Sequence, residues 1–157
     1  MAFNSFIEGL FETHLEVTGL ERARHFYENV LGLELAYFET KRRIAFYRFG
    51  KHQIYMLGVW EKPALEKRRG HFAFRVSPEV LLETRERLKN EGLNPRNFLE
   101  DDTDNLYVFP WLPAVSVYFQ DLDGNSLEFL AMLPEAPRTD LELLTWDKWQ
   151  EIHKVVS

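Results

Sequence analysis

His14, His71 and Glu128 recur at an equal interval of 57 residues, each within a run that alternates like a half-buried strand. His14 lies in Thr13-His14-Leu15-Glu16-Val17, and His71 in Gly70-His71-Phe72-Ala73-Phe74-Arg75-Val76. Glu128 lies in Asn125-Ser126-Leu127-Glu128-Phe129-Leu130. Two neutral imidazoles and one carboxylate can hold one face of a divalent metal and leave positions open for a substrate. A single histidine on a strand is more often a structural residue than a ligand, so the set carries the suggestion and no member does so alone.

Alternate side chains of a strand share a face. His14 and Glu16 therefore point one way, with Leu15 and Val17 opposite. His71, Ala73 and Arg75 share a face, as do Ser126, Glu128 and Leu130. Each candidate ligand stands on the more polar face of its strand. The surrounding elements occur twice in the order strand, helix, three strands, with a repeat of about 60 residues.

In the first copy, residues 10–17 read as a strand. Thr18-Gly19-Leu20-Glu21 reads as a capping box with Thr18 as N-cap. Leu20, Ala23, Phe26, Tyr27, Val30 and Leu31 fall at helical spacing, and Gly32 stops the helix. Strands are expected at Leu33–Glu39, Arg43–Phe49 and Gln53–Trp60, with a hairpin at Gly50-Lys51. Glu61 to Gly70 reads as a linker, and its basic run Lys67-Arg68-Arg69 as a solvated loop.

The second copy opens with a strand at Gly70–Val76. Ser77-Pro78 then gives an N-cap and a first-turn proline. A helix through Val80, Leu81, Leu82 and Leu88 ends at Gly92. Glu100-Asp101-Asp102 with Asp104 reads as a loop, and strands are expected at Tyr107–Phe109, Ala114–Gln120 and Asn125–Met132. A tail follows Leu133, extended through Pro134–Arg138. Thr145 is expected to cap a short helix carrying Trp146, Trp149, Ile152 and Val155, packed on the body or on a partner subunit. The expected organisation is one domain over residues 1–157: a first module at about 10–60, a linker at 61–70, a second module at about 70–132 and a tail at 133–157.

The bulk composition narrows the function. The 157 residues suffice for a real core, with 45% hydrophobic and 28% charged residues. A net charge of −6 disfavours nucleic acid and anionic membrane as partners. With no cysteine there is no disulfide, thiolate metal site or cysteine nucleophile. No signal peptide or spanning segment is visible, and a cytoplasmic location is expected. Asp121–Asn125 is a turn and not a calcium loop, because the twelfth position would be Met132. His25, His52 and His153 are expected to be solvated.

The doubled βαβββ pattern resembles the vicinal oxygen chelate superfamily, the group of glyoxalases, bleomycin resistance proteins and extradiol dioxygenases, over about residues 10–132. The most specific match is Asp121-x-Asp123-Gly124-Asn125-x-Leu127-Glu128, joined by His14 in His-Leu-x-Val and His71 in Gly-His-x-x-Phe. Three matched positions reverse the ordinary expectation for a lone histidine. The resemblance implies an α+β fold in which tandem βαβββ modules form a curved eight-stranded mixed sheet around a metal cavity, helices outside. It implies a divalent ion (Mn, Fe, Ni, Co or Zn) on His14, His71 and Glu128. It also implies a homodimer; halves are often exchanged in this group, so a site is completed either within one chain or with His14 from one chain and the other ligands from its partner.

Two functions follow from the resemblance. The first is a metal-dependent lyase, isomerase or dioxygenase acting on a small oxygen-rich substrate, with Arg75, Tyr118 and Glu16 supplying charge matching and proton transfer. Tyr118 stands ten residues before Glu128, where ring-cleaving and epoxide-opening relatives often carry a substrate tyrosine; a buried structural role is the alternative. Glu16 is either a base or a carboxylate paired with Arg75. Tyr55 aligns with the second metal carboxylate of glyoxalase-like members, and the extra histidine of ring-cleaving members is missing from Gln53-Ile54-Tyr55-Met56. Both departures weaken those two reactions. The second function is a metal-free protein that sequesters an aromatic antibiotic or metabolite against Trp60, Trp111 and phenylalanine-rich walls.

Overall fold

The computed structural model describes residues 3–154. The chain forms two compact units. One takes the chain up to Gly70 together with the turn Leu122–Asn125; the other takes His71–Asp121 and continues from Ser126.

The first unit contains β1 (Glu12–Val17), α1 (Leu20–His25), β2 (Glu34–Glu39), β3 (Ile44–Phe49) and β4 (Tyr55–Glu61). Its sheet has the order β1-β4-β3-β2, with β1 parallel to β4 and the other pairs antiparallel. After His25 the helix widens into one π turn, Phe26–Val30, where the Leu31 N–H donates to the Phe26 carbonyl at 3.0 Å. Phe26 and Tyr27, adjacent in sequence, are both buried, and Tyr27 stacks on Tyr47 of β3 with ring centroids 5.9 Å apart. Gly32, at φ 71°, takes the left-handed conformation that ends the helix. Leu15 and Val17 point into the same apolar layer as Leu57 and Val59, and all four are buried.

The expected capping box does not form. The N-cap is Gly19, with no side-chain cap. Thr18 instead donates through its N–H and hydroxyl to Asp123 Oδ1, at 2.9 and 2.7 Å. The helix start is satisfied from the sheet: the Leu20 N–H donates to Glu61 Oε2 at 2.8 Å. Glu61 and Glu21 are both held by Arg43, whose Nε lies 3.1 Å from Glu61 Oε1 and whose Nη2 lies 2.9 Å from Glu21 Oε1. A carboxylate fixed on a neighbouring strand has displaced the local hydroxyl as the cap.

The second unit contains β5 (His71–Val76), α2 (Pro78–Asn90), β6 (Tyr107–Phe109), β7 (Ala114–Gln120), β8 (Ser126–Met132), β9 (Leu144–Thr145) and α3 (Trp146–Ile152). Its order is β5-β8-β7-β6-β9. β5 runs parallel to β8, and the other pairs are antiparallel. The expected single eight-stranded sheet is therefore corrected to two mixed sheets of four and five strands. Alternation fixes which face a residue occupies but not where a sheet's hydrogen-bonded edge ends. The ninth strand comes from the tail, which pairs Leu144 with Val108 and so covers the β6 edge. Thr145 caps α3 as expected, accepting from the Lys148 N–H at 3.2 Å.

Trp149, 1% exposed, anchors α3 in the core with Leu81, Leu88, Val108, Val115 and Leu127. His153, expected to be solvated, is half-buried: its ring lies 4.1 Å from the Trp149 ring at a 36° tilt, and its Nδ1 lies 2.9 Å from the Trp149 carbonyl. His25 and His52 are exposed as expected. Val155 lies outside the described residues. Among the described residues, no helix is long and apolar enough to cross a membrane.

Candidate metal and substrate site

In the second unit, register brings the site residues onto one sheet face. Glu128 pairs with Ala73 on one side and Tyr118 on the other, while His71 pairs with Ser126. His71 Nε2 lies 3.3 Å from Glu128 Oε2. The other ring nitrogen, Nδ1, lies 3.0 Å from the Ser126 carbonyl. A carbonyl can only accept, so Nδ1 carries the proton of the neutral ring and Nε2 turns its lone pair toward the carboxylate. Glu128 is buried, and its other oxygen accepts a short hydrogen bond from the Ser116 hydroxyl. Two acceptors thus face each other, a repulsion that a cation shared by both atoms would relieve.

The donor chemistry fits a divalent metal. Two atoms that share one ion, each roughly 2.0–2.2 Å from it, lie about 3 Å apart. The Ser126 carbonyl and the Ser116 hydroxyl are partners of the kind that orient a histidine and a carboxylate where these hold a metal. Tyr118 stacks on the His71 ring, with centroids 6.1 Å apart and planes 19° apart. Its backbone is held by a two-way exchange with Arg96, at 2.7 and 2.9 Å. Burial first, and then the Glu128 charge, push the Tyr118 phenol up, so at neutral pH it is a hydrogen-bond donor and not a base. Arg75, in register with Leu130 on this same face, is exposed.

In the first unit, His14 pairs with Gly58 and Glu16 with Trp60. The His14 ring lies directly over Gly58: a Cβ there would fall 2.3 Å from Nδ1. Trp60 Nε1 donates to His14 Nδ1 at 2.9 Å. An indole N–H only donates, so the neutral ring carries its proton on Nε2, which faces Glu12 Oε2 at 3.4 Å. His14 therefore offers Nε2 to a metal only after the Trp60 bond is released. Glu16 Oε2 accepts the Arg68 N–H at 2.6 Å. The Glu16 carbonyl accepts from Asn125 Nδ2 at 3.0 Å, and Asn125 Oδ1 accepts the Gly70 N–H at 2.8 Å. A cavity of about 450 Å³ opens beside His14, Glu16 and Trp60. Tyr55 falls on the other face of β4, against Phe49 at 5.9 Å. The His14 side of that strand carries Met56, Gly58 and Trp60.

The structure thus brings His71, Glu128 and Tyr118 together and places His14 and Glu16 side by side in the first unit. Among the described residues, no group of three His, Cys, Asp or Glu gathers at metal-binding distance. Two supporting residues, Ser116 and Gly58, escaped the sequence reading, and Trp60 was read there only as an aromatic wall. Ser116 shares the face of Tyr118 two positions earlier, which alternation could have shown. Gly58 and Trp60 depend on the parallel register of β1 with β4, for which the sequence carries no local signal.

No curated protein matches this chain. Among solved structures, an integron cassette protein, HFX_CASS4, from the mobile metagenome of the Halifax Harbour sewage outfall is 29% identical with a TM-score of 0.67, covering 80% of this chain and 100% of its own. Lactoylglutathione lyase from Agrobacterium tumefaciens is 22% identical with a TM-score of 0.60, covering 80% of this chain and 94% of its own. The fosfomycin resistance protein FosX from Listeria monocytogenes, complexed with Mn(II) and sulfate, is 24% identical with a TM-score of 0.58, covering 82% and 94%. The sequence profile of one family matches residues 9–129, most of the chain, which therefore belongs to the Glyoxalase/Bleomycin resistance protein/Dioxygenase superfamily.

Proposed function

We propose that this protein is a divalent-metal enzyme of the lyase, isomerase or dioxygenase type, acting on a small substrate that presents neighbouring oxygens. His71 and Glu128 would hold the ion, with His14 as third ligand from the same chain or from a second copy in a homodimer. The observation that carries the reading is the facing pair of His71 Nε2 and Glu128 Oε2, 3.3 Å apart, each with its outer atom already engaged. When bound, the ion would act as a Lewis acid on a substrate oxygen. The names of two similar structures, a lactoylglutathione lyase and a Mn(II)-bound FosX, agree with this class of chemistry.

The chain's own groups then divide the remaining work. Tyr118, kept protonated by burial, donates a hydrogen bond to an oxygen held beside His71. Glu16 is the carboxylate available as a base, its Oε2 already steadied by the Arg68 N–H. Arg75 stands exposed on the Glu128 face and would match substrate charge. No carboxylate stands on the His14 side of β4, so a second carboxylate there takes no part in this scheme.

One observation favours the second reading, metal-free capture of an aromatic ligand: the cavity of about 450 Å³ beside His14 is walled by Trp60. Metal analysis of protein purified without an affinity tag separates the two. The enzyme reading expects bound Mn, Fe, Ni, Co or Zn that is lost in His71→Ala and in Glu128→Ala. Metal content equal to wild type in either variant contradicts it. Wild-type protein that takes up none of these ions selects the capture reading. For metal-loaded protein, turnover would be sought among α-keto hemithioacetals, catechols and epoxides.

A further inference from the structure

The cavity beside His14 is lined by Leu15, Glu16, Trp60, Lys62, Arg68, Arg69 and Gly70, all in the first unit. That unit has seven arginines, and five of them have a carboxylate within reach. Arg22 meets Asp123 at 3.5 Å, Arg24 meets Glu28 at 2.8 Å, and Arg42 meets Glu39 at 3.7 Å. Arg43 meets Glu21 and Glu61, and Arg48 meets Glu34. The two without an ion pair among the described residues are Arg68 and Arg69, neighbours in sequence, and both line the cavity. Lys62 joins them, its Nζ 5.4 Å from the Trp60 ring centroid and likewise without a carboxylate partner among the described residues. Lys67, the other cation of the basic run, is engaged by the Asp123 carbonyl at 2.9 Å.

In a chain of net charge −6, three cations against the single carboxylate of Glu16 around one concavity are a local reversal of sign. The backbone that carries the two arginines is also fixed. The Arg68 N–H is pinned by Glu16 and the Gly70 N–H by Asn125, so the backbone between them is held at both ends. Gly70 lets the loop pack closely on β1, since a Cβ there would meet Leu15 Cδ2 at 2.4 Å. The volume of about 450 Å³ is that of a small-ligand site. Guanidinium forks match oxyanions in geometry as well as charge, and a flanking indole takes an apolar or aromatic remainder.

We infer that this cavity binds a small organic oxyanion, a carboxylate, phosphate or phosphonate, with its charged group on Arg68, Arg69 and Lys62 and its apolar part against Trp60. The site stands on these residues alone. It rests on the proposed function only in naming this anion as the substrate's own charged group.

The test is calorimetric titration of the full-length protein with phenylphosphonate, benzoate and the neutral control benzyl alcohol, in chelator and again with saturating Mn(II). The expected result is binding of at least one anion in chelator, at least about tenfold tighter than benzyl alcohol. Affinity should weaken with added salt and fall about tenfold in each of Arg68→Ala and Arg69→Ala, the usual loss for one hydrogen bond to a charged group. The order of phenylphosphonate and benzoate tells which oxyanion the site prefers. Equal binding of the alcohol, or wild-type affinity in both arginine variants, overturns the inference. So does anion binding that needs Mn(II) and ignores the arginines, because the anion would then sit on the metal. Mn(II) binding without any anion binding overturns the inference and leaves the proposed function standing; anion binding without metal uptake does the reverse.

Discussion

Replacing Gly58 with alanine should displace His14, the proposed third metal ligand, without substituting it. The added Cβ would lie 2.3 Å from His14 Nδ1, 2.7 Å from Cε1 and 3.3 Å from Cγ. Contacts that short force the ring off its seat, and the Trp60 hydrogen bond at 2.9 Å goes with it. That loss costs about 0.5–1.5 kcal/mol. Against it, alanine in place of a strand glycine gains roughly 0.5–1 kcal/mol from reduced chain entropy. The two terms nearly cancel, so the melting temperature of the apo protein should stay within a few degrees of wild type. Metal binding has no such compensation. Disturbing the support of a ligand alone weakens affinity by about 10–100-fold, and a displaced ligand does at least that. Trp60→Phe should act in the opposite sense: it frees Nδ1 while keeping an aromatic wall, and should tighten metal binding roughly fivefold, the worth of the bond that capture must break. Competition titration with Mn(II), alongside a melting curve for each variant, reads both effects. A Gly58→Ala protein that melts like wild type and binds Mn(II) within about twofold of it would refute this placement of His14.

Two further outcomes concern the scaffold. The Glu61 carboxyl is held below the usual carboxylate range, first by Arg43 and then by the Leu20 N–H. A lowered carboxylate contributes stability that is present above its unfolded value, about pH 4, and is lost as pH falls through the folded value. Glu61→Gln should therefore destabilise by about 1 kcal/mol at neutral pH, the worth of a helix cap, and flatten the acid side of the stability profile; an unchanged acid limb in chemical denaturation would count against the cap. Trp149→Ala should cost about 3–5 kcal/mol, because the ring is 1% exposed and fixes the tail that covers the β6 edge. Thermal melting and light scattering would read it, with melting and solubility like wild type as the contrary result.

The strands of the second copy were legible nearly to the residue. Tyr107–Phe109 and Ala114–Gln120 match their expected bounds, because strict alternation and flanking turn residues mark both ends. The Ser77-Pro78 helix start was equally plain. The first helix's cap was not, since the groups that satisfy its start lie 41 and 105 residues away, in Glu61 and Asp123. Asp123 and Asn125 were read as a turn motif; the structure shows them serving Thr18, Glu16 and Gly70. The same division runs through the site. His71, Glu128 and Tyr118 could be placed on one face from alternation. The grip of Trp60 on His14, and the glycine beneath the ring, needed the register of two parallel strands with a helix and a hairpin between them. The basic run forms an exposed loop as read, but that its two arginines have no ion pair among the described residues was not legible, because pairing is a property of neighbours in space.

The central claim is that His71 and Glu128 bind a metal in the folded chain, and the most direct measurement is the melting temperature with and without Mn, Fe, Ni, Co or Zn at pH 7.5. An ion that binds only the native state stabilises it by linkage, by roughly 2.7 kcal/mol at about 100 times the dissociation constant. At about 2–4 °C per kcal/mol that is a rise of several degrees for a domain of this size. The account predicts that rise for at least one of these ions in wild type, and its disappearance in Glu128→Ala. Identical melting with and without every one of them would contradict the account and leave the metal-free binding reading in its place.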